Sequence, residues 1–220
     1  MPGIPHARAK NREWDGVLIK NPGGYATLLY VALATRSNEK RRAILEATIR
    51  VLREQGLRGL KIEDVARAAE IGKGTVYLYF RDKQELLKAL VEHRATEFYA
   101  DAEAIVRDDR PFFERLRDLL ERRLAFIDEW RGLWGAVAAE VAQGEAKKAW
   151  LTGLHERYHR ILTDFVKDGV ARGELREDLN PELVGAALSA LGCAPQLPVD
   201  RGAYLDQLVE IWQKGVGAKS

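Results

Sequence analysis

At 220 residues the chain is long enough for one mid-sized core or for a small module joined to a larger one. Its single cysteine, Cys193, cannot close a disulfide within the chain, and no apolar run reaches the length of a membrane span, so a disulfide scaffold and a membrane-spanning protein are both excluded and a cytoplasmic setting is expected. The net charge of +2 conceals an asymmetry: residues 1–92 carry 17 Lys/Arg against 11 Asp/Glu, and the remainder 18 against 22, which fits contact with nucleic acid at one end only.

Residues 1–37 are interrupted by Pro2, Pro5, Pro22, Gly23 and Gly24 and sustain no amphipathic period. Two readings stand: a flexible extension, or a basic arm that sets Arg8, Lys10, Arg12 and Arg36 on a DNA backbone. The segment LLYVALA and the Ala32–Ala34 triplet superficially suggest an export signal, but the region before it is too long and a DNA-binding pattern follows. Asn38 is then expected to cap a helix with Ile44, Thr48, Val51 and Leu52 on one face, ending at Gly56.

Residues Lys61–Leu87, KIEDVARAAEIGKGTVYLYFRDKQELL, carry the chemistry. Ile62, Val65, Ala66 and Ala69 recur at i, i+3, i+4 and i+7, which predicts a helix with one apolar face, and Glu63 and Asp64 sit in its first turn, where the helix dipole favours negative charge. After a break at Glu70–Gly72, a second helix is predicted over Lys73–Phe80. Ile71, Val76 and Phe80 point inward there, leaving Lys73, Thr75, Tyr77, Leu78 and Tyr79 outside. A small Ala66 and an apolar Val76 suit two helices crossing steeply, and the protruding second helix suits a DNA major groove.

From Asp82 onward the pattern is helical throughout. Asp82 caps a helix to about Val106; Pro111 opens another through Ile127; Gly132–Ala142 is short and apolar; Glu145–Ala171 is long; Pro181–Leu191 and Arg201–Val216 complete the set. No alternating strand pattern is found. The fold class is therefore all-α: an N-terminal three-helix helix-turn-helix module over 38–87, followed by a larger helical domain over 88–220.

Residues Val65–Leu86, VARAAEIGKGTVYLYFRDKQEL, resemble the tetracycline-repressor (TetR) family of bacterial transcriptional regulators, whose pattern includes IA..AG(V)SKGT(L/V)Y.(H/Y)F..K..L. The likeness extends, more loosely, from about residue 38 to the end. Three departures stand out: Glu70 replaces the usual turn Gly, Gly72 the usual Ser or Thr cap, and Lys61 the usual Thr at the start of the preceding helix. The resemblance implies a homodimer joined through the Pro181–Leu191 and Arg201–Val216 helices, bound to a palindromic operator in double-stranded DNA. It further implies release by a small apolar or amphipathic ligand held in the second domain. On this reading Lys73, Thr75, Tyr77 and Lys83 mainly hold phosphates, with Lys73 or Thr75 also able to reach a base edge, Leu78 and Tyr79 meet thymine methyls or sugars, Gly74 lets the backbone approach, and Lys40 and Lys61 pin the flanking strand.

Aromatics at helical spacing are ordinarily core; with the resemblance added, Phe126, Trp130, Trp134, Trp150 and Tyr158 become candidates for lining a ligand cavity. On the wheel of the Glu145–Ala171 helix, Leu154, Tyr158, Ile161, Leu162, Phe165 and Gly169 share an arc that also takes in His155, which is expected to face the interior and joins the ligand candidates. His155–His159 fits the H-E-x-x-H zinc-protease pattern, but no third ligand or cleft accompanies it, so no catalytic metal and no cofactor are expected. An enzyme is disfavoured by the absence of a nucleophile–base pair or a phosphate loop. The rival to a ligand-released repressor is a DNA-binding structural or partner-regulated protein of the same fold without an inducer.

Overall fold

The computed structural model describes residues 25–129, 134–141, 145–191 and 200–218. Nine helices are found among them: α1 Tyr25–Gly59, α2 Ile62–Ala68, α3 Lys73–Tyr79, α4 Lys83–Val106, α5 Phe112–Glu129, α6 Trp134–Val141, α7 Glu145–Ala171, α8 Pro181–Leu191 and α9 Arg201–Val216. The only β pairing among the described residues is one isolated bridge, Leu175 to Gly217. Residues 42–220 form one compact unit; residues 1–41 are a separate one, whose described part belongs to α1. Cys193, Trp130 and the Trp134 side chain lie outside what the structure describes.

Asn38 does not cap the first helix. The helix begins at Tyr25, directly after the Pro22-Gly23-Gly24 break, and Asn38 lies exposed within it. Between Tyr25 and Gln55 there is no proline or glycine to stop it, and the Leu- and Ala-rich stretch favours helix. The helix kinks at Gly56, where the sequence places its end, and a last turn continues to Gly59. Gly56 has φ 68 and ψ 177, a conformation that only glycine adopts readily.

The turn from α2 into α3 is a Schellman closure: the Ile71 N–H bonds to the Ala66 carbonyl at 3.0 Å and the Glu70 N–H to Arg67 at 3.1 Å. Glu70 occupies the left-handed position, φ 55, that the motif ordinarily gives to glycine. Ala66 and Val76 are buried where the two short helices meet. Asp82 then caps α4, its carboxylate accepting from the Glu85 N–H at 2.8 Å while the Glu85 side chain accepts from the Arg81 N–H at 2.7 Å. Pro111 stands immediately before α5 rather than inside its first turn.

α4 buries side chains along its whole length, from Leu86, Leu87, Leu90 and Val91 to Ala95, Phe98, Tyr99 and Ala102. One continuous hydrophobic cluster therefore runs from Ile44 and Val76 to Phe165, Leu188 and Leu205. Among the helices after α4, two features fix the packing. Arg115 is fully buried and reaches the Val106 carbonyl at 2.8 Å, Asp168 at 3.0 Å and Glu174 at 3.3 Å, knitting α4, α5 and α7 to the turn that follows. Gly185 of α8 lies so close to Thr163 of α7 that an added Cβ would fall 2.8 Å from its hydroxyl and 3.0 Å from its backbone nitrogen. The α7–α8 connector is also held to the chain end, Arg176 N–H to the Val216 carbonyl at 3.0 Å and Ala218 N–H to Glu174 at 3.1 Å.

Candidate nucleic-acid interface and the second-domain interior

α3 has an inner and an outer side. Val76 and Phe80 are buried beneath it; Lys73, Gly74, Tyr77 and Leu78 are exposed, and Thr75 and Tyr79 are half-buried. Leu78 is 84% exposed. An apolar side chain that open to water contributes nothing to the fold, whereas it suits a surface that closes on a partner. Gly72 starts the helix with extended geometry and no side-chain cap, its carbonyl accepting from the Thr75 N–H at 2.9 Å. At Gly74 an added Cβ would meet nothing within 4 Å, so the backbone there is open to an approaching phosphate.

The cations divide into two kinds. Lys40 and Lys61 are exposed. Lys73 is exposed but engaged, its ammonium bonded to the Glu63 carboxylate of α2 and lying 5.8 Å from the Tyr77 ring centre. That bond holds the Glu63 carboxyl below the usual carboxylate range and pushes Lys73 above the usual lysine range. The sequence shows Glu63 as a helix-dipole group only; its position ten residues before Lys73, across the turn, gives it this second role. Lys83 is half-buried and donates to the Leu57 carbonyl at 3.1 Å, so it closes the end of α1 instead of standing free for phosphate.

In the second domain the Phe98 ring lies 4.8 Å from Phe126 and 5.0 Å from Tyr158, and Arg123 stacks on Tyr158 at 4.8 Å. Burial pushes the Tyr158 hydroxyl up to about 12. Trp150 is half-buried and donates its indole N–H to Glu92 at 2.9 Å, and Tyr99 donates to the Leu154 carbonyl at 2.6 Å, two bonds from α4 to α7. The wheel of α7 holds for Tyr158, Ile161, Leu162, Phe165 and Gly169, all buried, but not for His155. That residue is exposed, at the edge of the arc where a helix turns from core to water. Among the described residues no third ligating side chain joins His155, Glu156 and His159. An open groove of about 580 Å³ beside α4 and α7 is lined by Arg107, Arg157, Arg160 and Arg172 with Asp164 and Asp168, over a floor that includes Val106, Ile161 and Phe165, a mixed charged and apolar lining.

Residues 44–90, which hold the end of α1, α2, α3 and the start of α4, match the family described as bacterial regulatory proteins, tetR family. Those residues form a tetR-family reading module. Among the chain's relatives is the HTH-type transcriptional regulator YvdT of Bacillus subtilis, 24% identical over 183 residues, which span 82% of this chain and 93% of that protein. Two solved structures share the fold. A TetR-family transcriptional regulator from Mesorhizobium loti superposes with a TM-score of 0.67 at 20% identity, over 83% of this chain and 99% of that one. FadR of Bacillus subtilis, solved in complex with stearoyl-CoA, gives 0.54 at 20% identity, over 79% and 87%. TetR-family proteins of this kind are transcriptional regulators and not enzymes, and the all-α architecture of a reading module followed by a larger helical domain is theirs.

Proposed function

We propose that this regulator is a repressor that grips a palindromic operator as a homodimer and lets go when a small apolar or amphipathic molecule occupies its second domain. The observation that carries DNA reading is Leu78, open to water beside Tyr77 and Lys73 on a helix whose opposite side is locked into the core by Val76 and Phe80. Residues 38–87 read DNA, 88–220 assemble the dimer and bind the ligand, and 1–37 form an accessory extension. A regulator that binds operator DNA works in the cytoplasm.

Two surface residues support dimerisation through α8 and α9: Leu183 is 70% exposed and Ile211 67% exposed, on helices whose Leu188 and Leu205 are already buried within the chain. A second copy would cover that apolar remainder and set two copies of α3 about 34–36 Å apart, one turn of DNA. The ligand class is supported by the aromatic interior around Phe126, Trp150 and Tyr158 and by FadR, which was solved with stearoyl-CoA. Because α4 runs from the reading module into that interior, a ligand pressing on its second half would alter the spacing of the readers. The mutual contact of Phe98, Phe126 and Tyr158 also favours the second reading, a domain packed for assembly without an inducer.

Selection from a pool of random duplexes by the full-length chain tests the first reading. It should enrich an inverted repeat with half-sites one helical turn apart, and sedimentation should give a dimer. Enrichment of a single half-site by a monomer contradicts it. Adding stearoyl-CoA and shorter acyl thioesters to that complex then separates the two accounts, since release by none of them leaves the packed-domain reading.

A further inference from the structure

We propose that Glu46, His93 and Glu97 form a binding site for a divalent first-row transition-metal ion that links α1 to α4. His93 and Glu97 stand one turn apart on α4, so both side chains leave the same face, and Glu46 comes across from α1. The His93 Nε2 lies 3.5 Å from a Glu46 Oε1 and 3.5 Å from the Glu97 Oε1, and one ligating atom from each of the three residues falls within 4.8 Å of the others.

That nitrogen is buried and has no hydrogen-bond partner. A buried unsatisfied nitrogen is costly, about 1–3 kcal/mol. A metal ion held by that nitrogen and the two carboxylate oxygens removes the cost and balances the carboxylates' negative charge. Bonds of about 2.0–2.2 Å in tetrahedral geometry separate neighbouring ligand atoms by about 3.4 Å, close to the observed nitrogen–oxygen spacing. The three side chains supply one nitrogen and two oxygens, and the fourth position falls to water. A histidine ligand favours zinc-like ions over magnesium or calcium.

The surrounding charges fit such a site. Arg94 holds the other oxygen of Glu97, Oε2, at 2.6 Å and also bonds Glu129, so the carboxylate is oriented with Oε1 towards His93. Arg42 is the competitor: its guanidinium is 3.7 Å from the Glu97 Oε1, and its largely exposed side chain must swing outward when the ion enters. An ion held here fixes the angle of α4, the helix that follows directly on α3, against α1.

Thermal melting and calorimetry on chelator-treated full-length protein, with zinc, manganese or magnesium chloride added, test the site. Zinc should bind once per chain and raise the melting temperature, magnesium at the same concentration should not, and zinc affinity should fall at least tenfold in Glu46→Gln and in His93→Gln. If His93→Gln does not fold, Glu46→Gln, at a partly exposed position, carries the test. A His155→Gln/His159→Gln double variant should keep the site. Absence of any zinc effect, or zinc binding that survives both Glu46→Gln and His93→Gln, overturns the proposal.

Discussion

Lys73 and Glu63 are joined by a direct bond across the turn between α2 and α3, so the lysine at the start of the recognition helix is already neutralised by the protein. On the proposed function, DNA phosphate competes with that carboxylate for the lysine. Replacing Glu63 by Gln should release the ammonium, tighten DNA binding and steepen its dependence on salt by about 1 in log–log slope. Anisotropy titrations over a series of salt concentrations measure this, and an unchanged slope would show that Lys73 does not meet phosphate.

Lys83 should behave differently. Its bond to the Leu57 carbonyl makes it a cap for the end of α1. Lys83→Ala is expected to lower stability by about 1–2 kcal/mol in urea unfolding while leaving the salt slope of DNA binding nearly unchanged. A slope that falls by a full contact with no loss of stability would return Lys83 to the interface.

Two turn residues should respond with opposite signs. Glu70 sits at φ 55, a conformation that costs a residue with a side chain about 1–2 kcal/mol, so Glu70→Gly should stabilise by about 1 kcal/mol once the extra freedom of the unfolded chain is offset. Gly56→Ala should destabilise by about 1–3 kcal/mol through backbone strain alone, because the added Cβ meets nothing within 4 Å. Denaturant midpoints decide both, and a destabilised Glu70→Gly would show that the glutamate side chain earns its place by contacts.

Much of this was legible because local chemistry punctuates the chain. The Gly56 stop, at positive φ, and the Asp82 cap are marked by residue types with few other uses. The helix-turn-helix was legible because Val65, Ala66 and Val76 sit at helical spacing and all become buried. What was not legible depended on partners distant in sequence. The start of α1 at Tyr25 carries no amphipathic period, and Lys83 is assigned by a carbonyl 26 residues away. His155 lies inside the arc drawn from the sequence, whose true edge is set by neighbouring helices, and His93 carries no sequence signal because Glu46 joins it only through the fold.

The buried tyrosine gives a pH dependence whose direction follows from its environment. Tyr158 keeps its proton in the folded chain up to about 12, whereas in the unfolded chain it ionises near the usual 10. The folded pKa is raised, so its contribution is fully present below about pH 10 and is lost as pH rises from about 10 to 12. Tyr158→Phe should therefore lose less stability than the parent over that alkaline window, with the two curves parallel below pH 9. Parallel curves throughout would mean that the hydroxyl is not protected.

On the proposed function the outer side of α3 reads DNA, and Leu78 is its sharpest probe because the side chain stands open to water and packs against no core. Operator affinity of Leu78→Glu should be measured beside its melting temperature, on the duplex enriched by the parent chain. The expected result is a loss of at least tenfold in affinity with the melting temperature unchanged; parent-like affinity in the folded variant would contradict the account.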